Sequence, residues 1–136
     1  MKVVLDCNVL ISAGLNAGTC RTVLSDVVGA HQLILSQAIL QEYVTVARRP
    51  RFAVAGNTLI GLIKAVSGNA VLVDPDPASV RLPDPKDQFY LDAAIAAGAD
   101  VLITGNKKHF PEAAYYGVQI VSPREFLELA EPGEGR

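Results

Sequence analysis

The chain has little cysteine, little histidine and no excess of basic charge, and each shortage closes off a class of function. Two cysteines in 136 residues, Cys7 and Cys20, make no disulfide framework. Two histidines and no Cys/His cluster leave no zinc site of the usual structural kind. Twelve Lys and Arg against fourteen Asp and Glu give a net charge of −2 and a pI near 5.6, which excludes nucleic-acid binding through bulk positive charge. A local basic patch stays open. No stretch approaches the ~18 uninterrupted apolar residues of a membrane span. The opening Met1-Lys2-Val3-Val4-Leu5 is apolar, but Asp6 and Asn8 interrupt it and no clean cleavage site follows, so it does not read as a signal peptide. These features predict a soluble, cytoplasmic protein that does not engage a membrane.

What the chain does have is core. Half of its residues are hydrophobic and 19% are charged, the opposite of a disordered composition. Its 136 residues suit one domain, which we place at 1–130, with a loose tail at 131–136. Short apolar runs alternate with amphipathic stretches. Strands are predicted at Lys2–Leu5, Leu33–Leu35, Val71–Val73, Val101–Ile103 and Val118–Val121. Helices are predicted from Thr19 as cap to about Val28 with Gly29 as the stop, and from Ser36 as cap to about Arg49. Others run from Asn57 to Ser67, from Asp87 to Ala97 with Gly98 as the stop, and from Pro123 to about Ala130 behind a Ser122/Glu125 capping box. Asp74 to Lys86 holds four prolines and reads as an extended loop. This order predicts an α/β fold: three α/β/α layers around a parallel sheet of about five strands. The strands do not alternate in polarity, as expected when helices cover both faces. In such sheets the chemistry gathers beyond the carboxyl ends of the strands.

Several acids sit where that rule points. Asp6 directly follows the first strand, where it either joins a site or caps the short helix after it. Glu42 lies about 60° from the centre of the Ile39/Tyr43/Val46/Ala47 stripe, at the edge of its helix's buried face. It either leans toward the crevice or pairs with an arginine such as Arg49. Asp84 and Asp87 precede the apolar helix, and either can cap it. Asp92, inside that helix, ranks below Asp87. Thr104-Gly105-Asn106-Lys107-Lys108-His109 follows the fourth strand and suits a phosphate-facing loop, or an ordinary polar turn. His109 alone signals nothing catalytic. Carboxylates converging without histidine or cysteine ligands suit Mg²⁺ or Mn²⁺.

Five segments carry a family resemblance. They are Val4-Leu5-Asp6-Cys7-Asn8-Val9-Leu10-Ile11-Ser12, Leu35 to Tyr43, Arg48-Arg49-Pro50-Arg51-Phe52, Asp84-Pro85-Lys86-Asp87 with Ala96 to Asp100, and Leu102 to Phe110. In this order and spacing the chain resembles PIN-domain ribonucleases, close to the VapC-like toxins of bacterial and archaeal toxin–antitoxin pairs, over about Lys2 to Phe126. The resemblance implies a PIN-like fold and a metal-dependent endoribonuclease that uses water to cleave RNA. Asp6, Glu42 and Asp87 match the family's first three acids, as ligands for Mg²⁺ or Mn²⁺. The fourth acidic position falls at Asn106, a departure, since an amide supplies an oxygen without charge; Asp84 partly compensates. Asn8, Ser12 and Thr104 match supporting polar positions. Arg48, Arg49, Arg51, Lys107 and Lys108 are candidates for RNA phosphates, or a solvated rim. A cognate antitoxin and a homodimer are implied on the same basis. Two other readings stand beside this one. A non-catalytic PIN-like module that binds nucleic acid or protein has Asn106 in its favour. A receiver-like or phosphatase-like domain has Asp6, Asp74, Thr104 and Lys107 at strand ends.

Overall fold

Lys2–Leu5 forms the first strand, β1, and its Val3, Val4 and Leu5 are fully buried. The structure, a computed structural model, describes residues 1–130; the tail expected at 131–136 lies outside the described residues. After β1 come α1 (Cys7–Leu15), α2 (Thr19–Ala30), β2 (Gln32–Ser36), α3 (Gln37–Ala47) and α4 (Gly56–Ser67). Then follow β3 (Val71–Val73), α5 (Pro85–Ala97), β4 (Val101–Ile103), β5 (Ala114–Tyr115), β6 (Val118–Val121) and α6 (Pro123–Ala130). Short 3₁₀ turns occupy Pro50–Phe52 and Lys107–His109.

The sheet runs β3-β2-β1-β4-β6-β5. All pairings are parallel except β5 with β6. The expected parallel sheet is therefore present, and a sixth, antiparallel strand extends it. That strand is two residues long and returns through Tyr116 and Gly117, both with positive φ, the backbone of a tight hairpin turn. The Tyr116 hydroxyl bonds Ser79 Oγ at 3.0 Å, which anchors the residue in this uncommon conformation. Helices flank the sheet, and α5 packs across β1, β2, β3 and β4. No helix among the described residues is long and apolar enough to cross a membrane.

The strand order decides one alternative. Receiver-like domains set β1 between β2 and β3, whereas here β1 lies between β2 and β4 and β3 is at the edge. Asp74, exposed after that edge strand, is two strands away from Asp6. The acidic layout of a receiver is thus not assembled.

Side-chain caps set the starts of α3, α5 and α6. Ser36 Oγ accepts from Ile39 N at 3.2 Å and starts α3, which ends at Ala47 rather than Arg49. Gly18, not Thr19, occupies the cap position of α2, and that helix continues through Gly29 to Ala30. Asp84 caps α5 by accepting from Lys86 N at 2.9 Å, with Pro85 at the first helical position, so α5 begins before Asp87. Gly98, at φ 62°, closes it in the left-handed region. Ser122 and Glu125 form a reciprocal capping box at 2.8 and 3.1 Å. The proline-rich loop is strapped to α5. Gln88 binds Leu82 N at 2.8 Å and Val80 O at 3.1 Å, and Asp92 Oδ1 accepts from Ala78 N at 3.0 Å. Asp92 thus holds a loop.

Ser36→Ala removes the cap of the helix that carries Glu42. It should lower stability by ~1 kcal/mol. Urea denaturation would show this as a lower midpoint at unchanged slope.

Candidate active site at the carboxyl edge of the sheet

β1 and β4 pair with Leu5 opposite Ile103, so the residues just past them, Asp6 and Thr104, emerge side by side. This is where the strand order reverses, the place where open α/β sheets form their crevice. Asp6 N donates to Ile103 O at 2.9 Å, and Thr104 Oγ1 donates to Asp6 Oδ2 at 2.7 Å. Both side chains are buried. Two tyrosines hold the backbone on either side of Asp6. The Tyr43 hydroxyl from α3 donates to Leu5 O, and the Tyr90 hydroxyl from α5 accepts from Cys7 N at 3.2 Å. Asp6 occupies the cap position of α1 without a capping bond, because its carboxylate turns to Thr104 instead.

Burial pushes the Asp6 carboxyl above its ordinary range. The Thr104 hydroxyl opposes the shift, as do the nearby amides of Asn8 and Cys7 and the His109 charge. Asp87 lies in the first turn of α5 and is 9% exposed. Burial raises its pKa too; His109 opposes this, and the charges of Asp6 and Asp84 add to it. Asp6 and Asp87 therefore share one desolvated region, with half-buried Asp84 beside them. Cys7 lies against the same region, but burial, helped by Glu42 and Asp6, pushes its thiol up to about 12. It stays protonated at neutral pH and is no nucleophile.

His109 enters where the sequence reading assigned it no role. The 3₁₀ turn after β4 brings its Nδ1 within 3.1 Å of Asp87 Oδ2 and its Nε2 within 2.8 Å of Asn106 Nδ2. Asp84, Asp87 and His109 each offer a ligand atom within 4.8 Å of the others, so this cluster can coordinate a divalent metal. Asp87 Oδ2 is buried, and its one close neighbour is the His109 nitrogen at 3.1 Å, which pairs with it only when the imidazole carries a proton there. A buried carboxylate oxygen in that state is costly unless a cation meets it. The donor set thus fits a metal.

The other candidate residues divide into groups. Glu42 is half-buried on α3 and lies outside that cluster; it acts on Cys7 through charge, as does Arg49. It forms no ion pair among the described residues. Asn8 and Ser12, one turn apart on α1, line a cavity of about 210 Å³ together with Arg49 and Arg51. Arg48 faces a separate groove between α3 and α4, beside Lys64. Lys107 is engaged by Glu125 at 2.8 Å, whereas Lys108 is exposed. Asn106 N donates to Thr104 Oγ1 at 3.0 Å, which ties the turn after β4 to Asp6 through one hydroxyl.

A family model described as PIN domain matches residues 2–108. The chain belongs to the PIN-domain family. Several solved structures share its fold at low identity. The VapBC of Salmonella typhimurium, solved bound to DNA, aligns at TM-score 0.63 and 17% identity over 90% of this chain and 98% of its own. VapBC2 of Rickettsia felis, bound to a DNA fragment from the promoter, aligns at 0.61 and 14% over 90% and 98%. VapBC-1 of nontypeable Haemophilus influenzae aligns at 0.60 and 18% over 91% and 99%. No curated protein matches the chain.

The crowded carboxylates carry a stability cost. Asp87→Asn removes one buried charge from this PIN domain, so in EDTA at pH 7 the variant should melt higher than the parent. The sign follows from the raised pKa. The folded parent binds its proton more tightly than the unfolded chain, so it gains stability as pH falls toward the ordinary value of 3.8. The variant's advantage in Tm should shrink over the same range.

Proposed function

We propose that this protein is a metal-dependent endoribonuclease, the toxin of a VapC-like toxin–antitoxin pair, acting in the cytoplasm on RNA phosphodiester bonds. The observation that carries this reading is Asp87, a buried carboxylate whose Oδ2 has only the His109 nitrogen close to it, beside Asp6 and Asp84 in the crevice of a PIN fold. Asp6 and Asp87 would hold Mg²⁺ or Mn²⁺, with Glu42 at the border of the site. Such an ion supplies Lewis-acid chemistry: it stabilises charge on a phosphoryl group and activates water. Around it the chain's own groups have distinct tasks. Thr104 fixes the Asp6 carboxylate, and the two tyrosines fix the backbone beneath it. Glu42 orients the attacking water and takes its proton. Arg49 and Arg51, with Asn8 and Ser12, form a polar cavity suited to RNA phosphates, and Lys108 offers a further exposed charge. Arg48 and Lys107 contribute less, the first through its position and the second through its bond to Glu125. A cognate antitoxin partner and a homodimer are proposed from the likeness to VapBC assemblies.

The test is cleavage of a mixed structured RNA pool by the wild type and Asp6→Asn, each with Mg²⁺, Mn²⁺ or EDTA. The wild type should cut, EDTA should abolish cutting, and Asp6→Asn should lose about 100-fold or more. Equal cutting by both proteins would sink the proposal. Folded proteins that bind RNA without cutting it would favour the non-catalytic module, for which the uncharged Asn106 is the structural reason.

A further inference from the structure

The PIN family's fourth acidic position holds Asn106 here, which removes one negative charge from the crevice. The structure shows a different donor beside it. His109 reaches back from the 3₁₀ turn, with Nε2 against the Asn106 amide and Nδ1 against Asp87. Its ring is half-buried and already pointed into the site. Asp84 presents one oxygen to Lys86 N as the helix cap, which leaves the other free. Asp84 and Asp87 are three residues apart at the start of α5, so both project from one side of its first turn.

We infer that His109 is a metal ligand together with Asp84 and Asp87, and that its imidazole biases the site toward Mn²⁺ over Mg²⁺. This rests on the reading of the crevice as a metal site. Three features support it. The 3.1 Å between His109 Nδ1 and Asp87 Oδ2 suits neighbouring donors on one ion, since two atoms about 2.1 Å from a metal and at right angles to each other lie about 3 Å apart. Asp87 Oδ2 is buried with that nitrogen as its one close neighbour, so the two donor atoms already face each other. Asn106 also holds the ring: its Nδ2 lies 2.8 Å from His109 Nε2 and donates to it, so the Nδ1 proton faces Asp87 and is the proton an entering ion would displace. The carboxamide is then an outer-shell partner of the kind that orients ligating histidines. Carboxylate and water suit both ions, but Mn²⁺, the transition metal of the two, tolerates an imidazole among its oxygen ligands better than Mg²⁺ does, so a nitrogen in place of a carboxylate discriminates against Mg²⁺.

The experiment measures binding of Mn²⁺ alone and Mg²⁺ alone by titration calorimetry, for the wild type, His109→Gln and Asp87→Asn. Pulsed EPR of the Mn²⁺ forms then detects any directly bound nitrogen. The wild type should bind Mn²⁺ roughly 10-fold tighter than Mg²⁺ and show ¹⁴N coupling. His109→Gln should lose the coupling and about 10-fold or more in Mn²⁺ affinity, with Mg²⁺ affinity little changed. Asp87→Asn should weaken both ions. Mn²⁺ binding without ¹⁴N coupling, unaffected by His109→Gln, would overturn the inference while leaving a carboxylate-only nuclease site intact. No binding of either ion to folded wild type would overturn the inference and the metal-dependent nuclease reading together. Since no arm depends on turnover, loss of RNA cleavage alone bears on neither ligand assignment.

Discussion

β1 and β4 are joined by a buried hydrogen bond between residues 98 positions apart, Thr104 to Asp6. Everything else at the site is arranged around that contact. The register that sets Leu5 against Ile103 brings two strand ends together, and the hydroxyl then fixes one carboxylate oxygen. The same oxygen atom of Thr104 accepts from Asn106 N, so the turn that delivers His109 hangs from the bond that holds Asp6. Tyr43 and Tyr90 approach from two helices and hold the main chain from both sides. Asp6 is thereby denied the freedom to turn and cap its own helix. A fixed, desolvated carboxylate results, and fixed desolvated charge is what favours capture of a cation over solvation by loose water.

The cost of that arrangement is distributed through the fold. The apolar strands Val3–Leu5 and Val101–Ile103 supply a core from which water is excluded at the base of the crevice. The proline-rich segment, strapped by Gln88 and Asp92, delivers Asp84 to the start of α5. There the helix N-terminus, favourable to negative charge, partly offsets the crowding of Asp84 and Asp87. Asn106 adds no charge to that crowding, and its amide nitrogen lies 2.8 Å from His109 Nε2.

Much of this was legible in the sequence, for identifiable reasons. Parallel strands buried on both faces appear as uninterrupted apolar runs, so five strands could be read directly. Ser36, Gly98 and the Ser122/Glu125 pair act within one turn of chain, and local chemistry of that kind survives folding. The strand β5 was not legible. It is two residues long, and its turn is Tyr116-Gly117 rather than the asparagine- or aspartate-glycine pair that marks such hairpins. His109 was not legible either, because its role depends on where a 3₁₀ turn aims it. The basic run at Arg48, Arg49 and Arg51 was visible as a cluster, but the helix end at Ala47 and the turn after it split its members between two surfaces. The one signal His109 carries in the sequence is its place directly after the strand-end loop, where a side chain that turns back meets the acids.

Cys7 gives the site an internal gauge. Its thiol is 4% exposed, protonated, and one residue from Asp6, whereas Cys20 on α2 is only half-buried. A thiol-directed reagent added to the folded chain therefore meets Cys20 first. Modification of Cys7 has to wait for β1 and α1 to part from α5, breaking the bond to Tyr90. The rate of that second labelling event is a clock for local opening of the crevice, readable without substrate and without any reporter built into the protein.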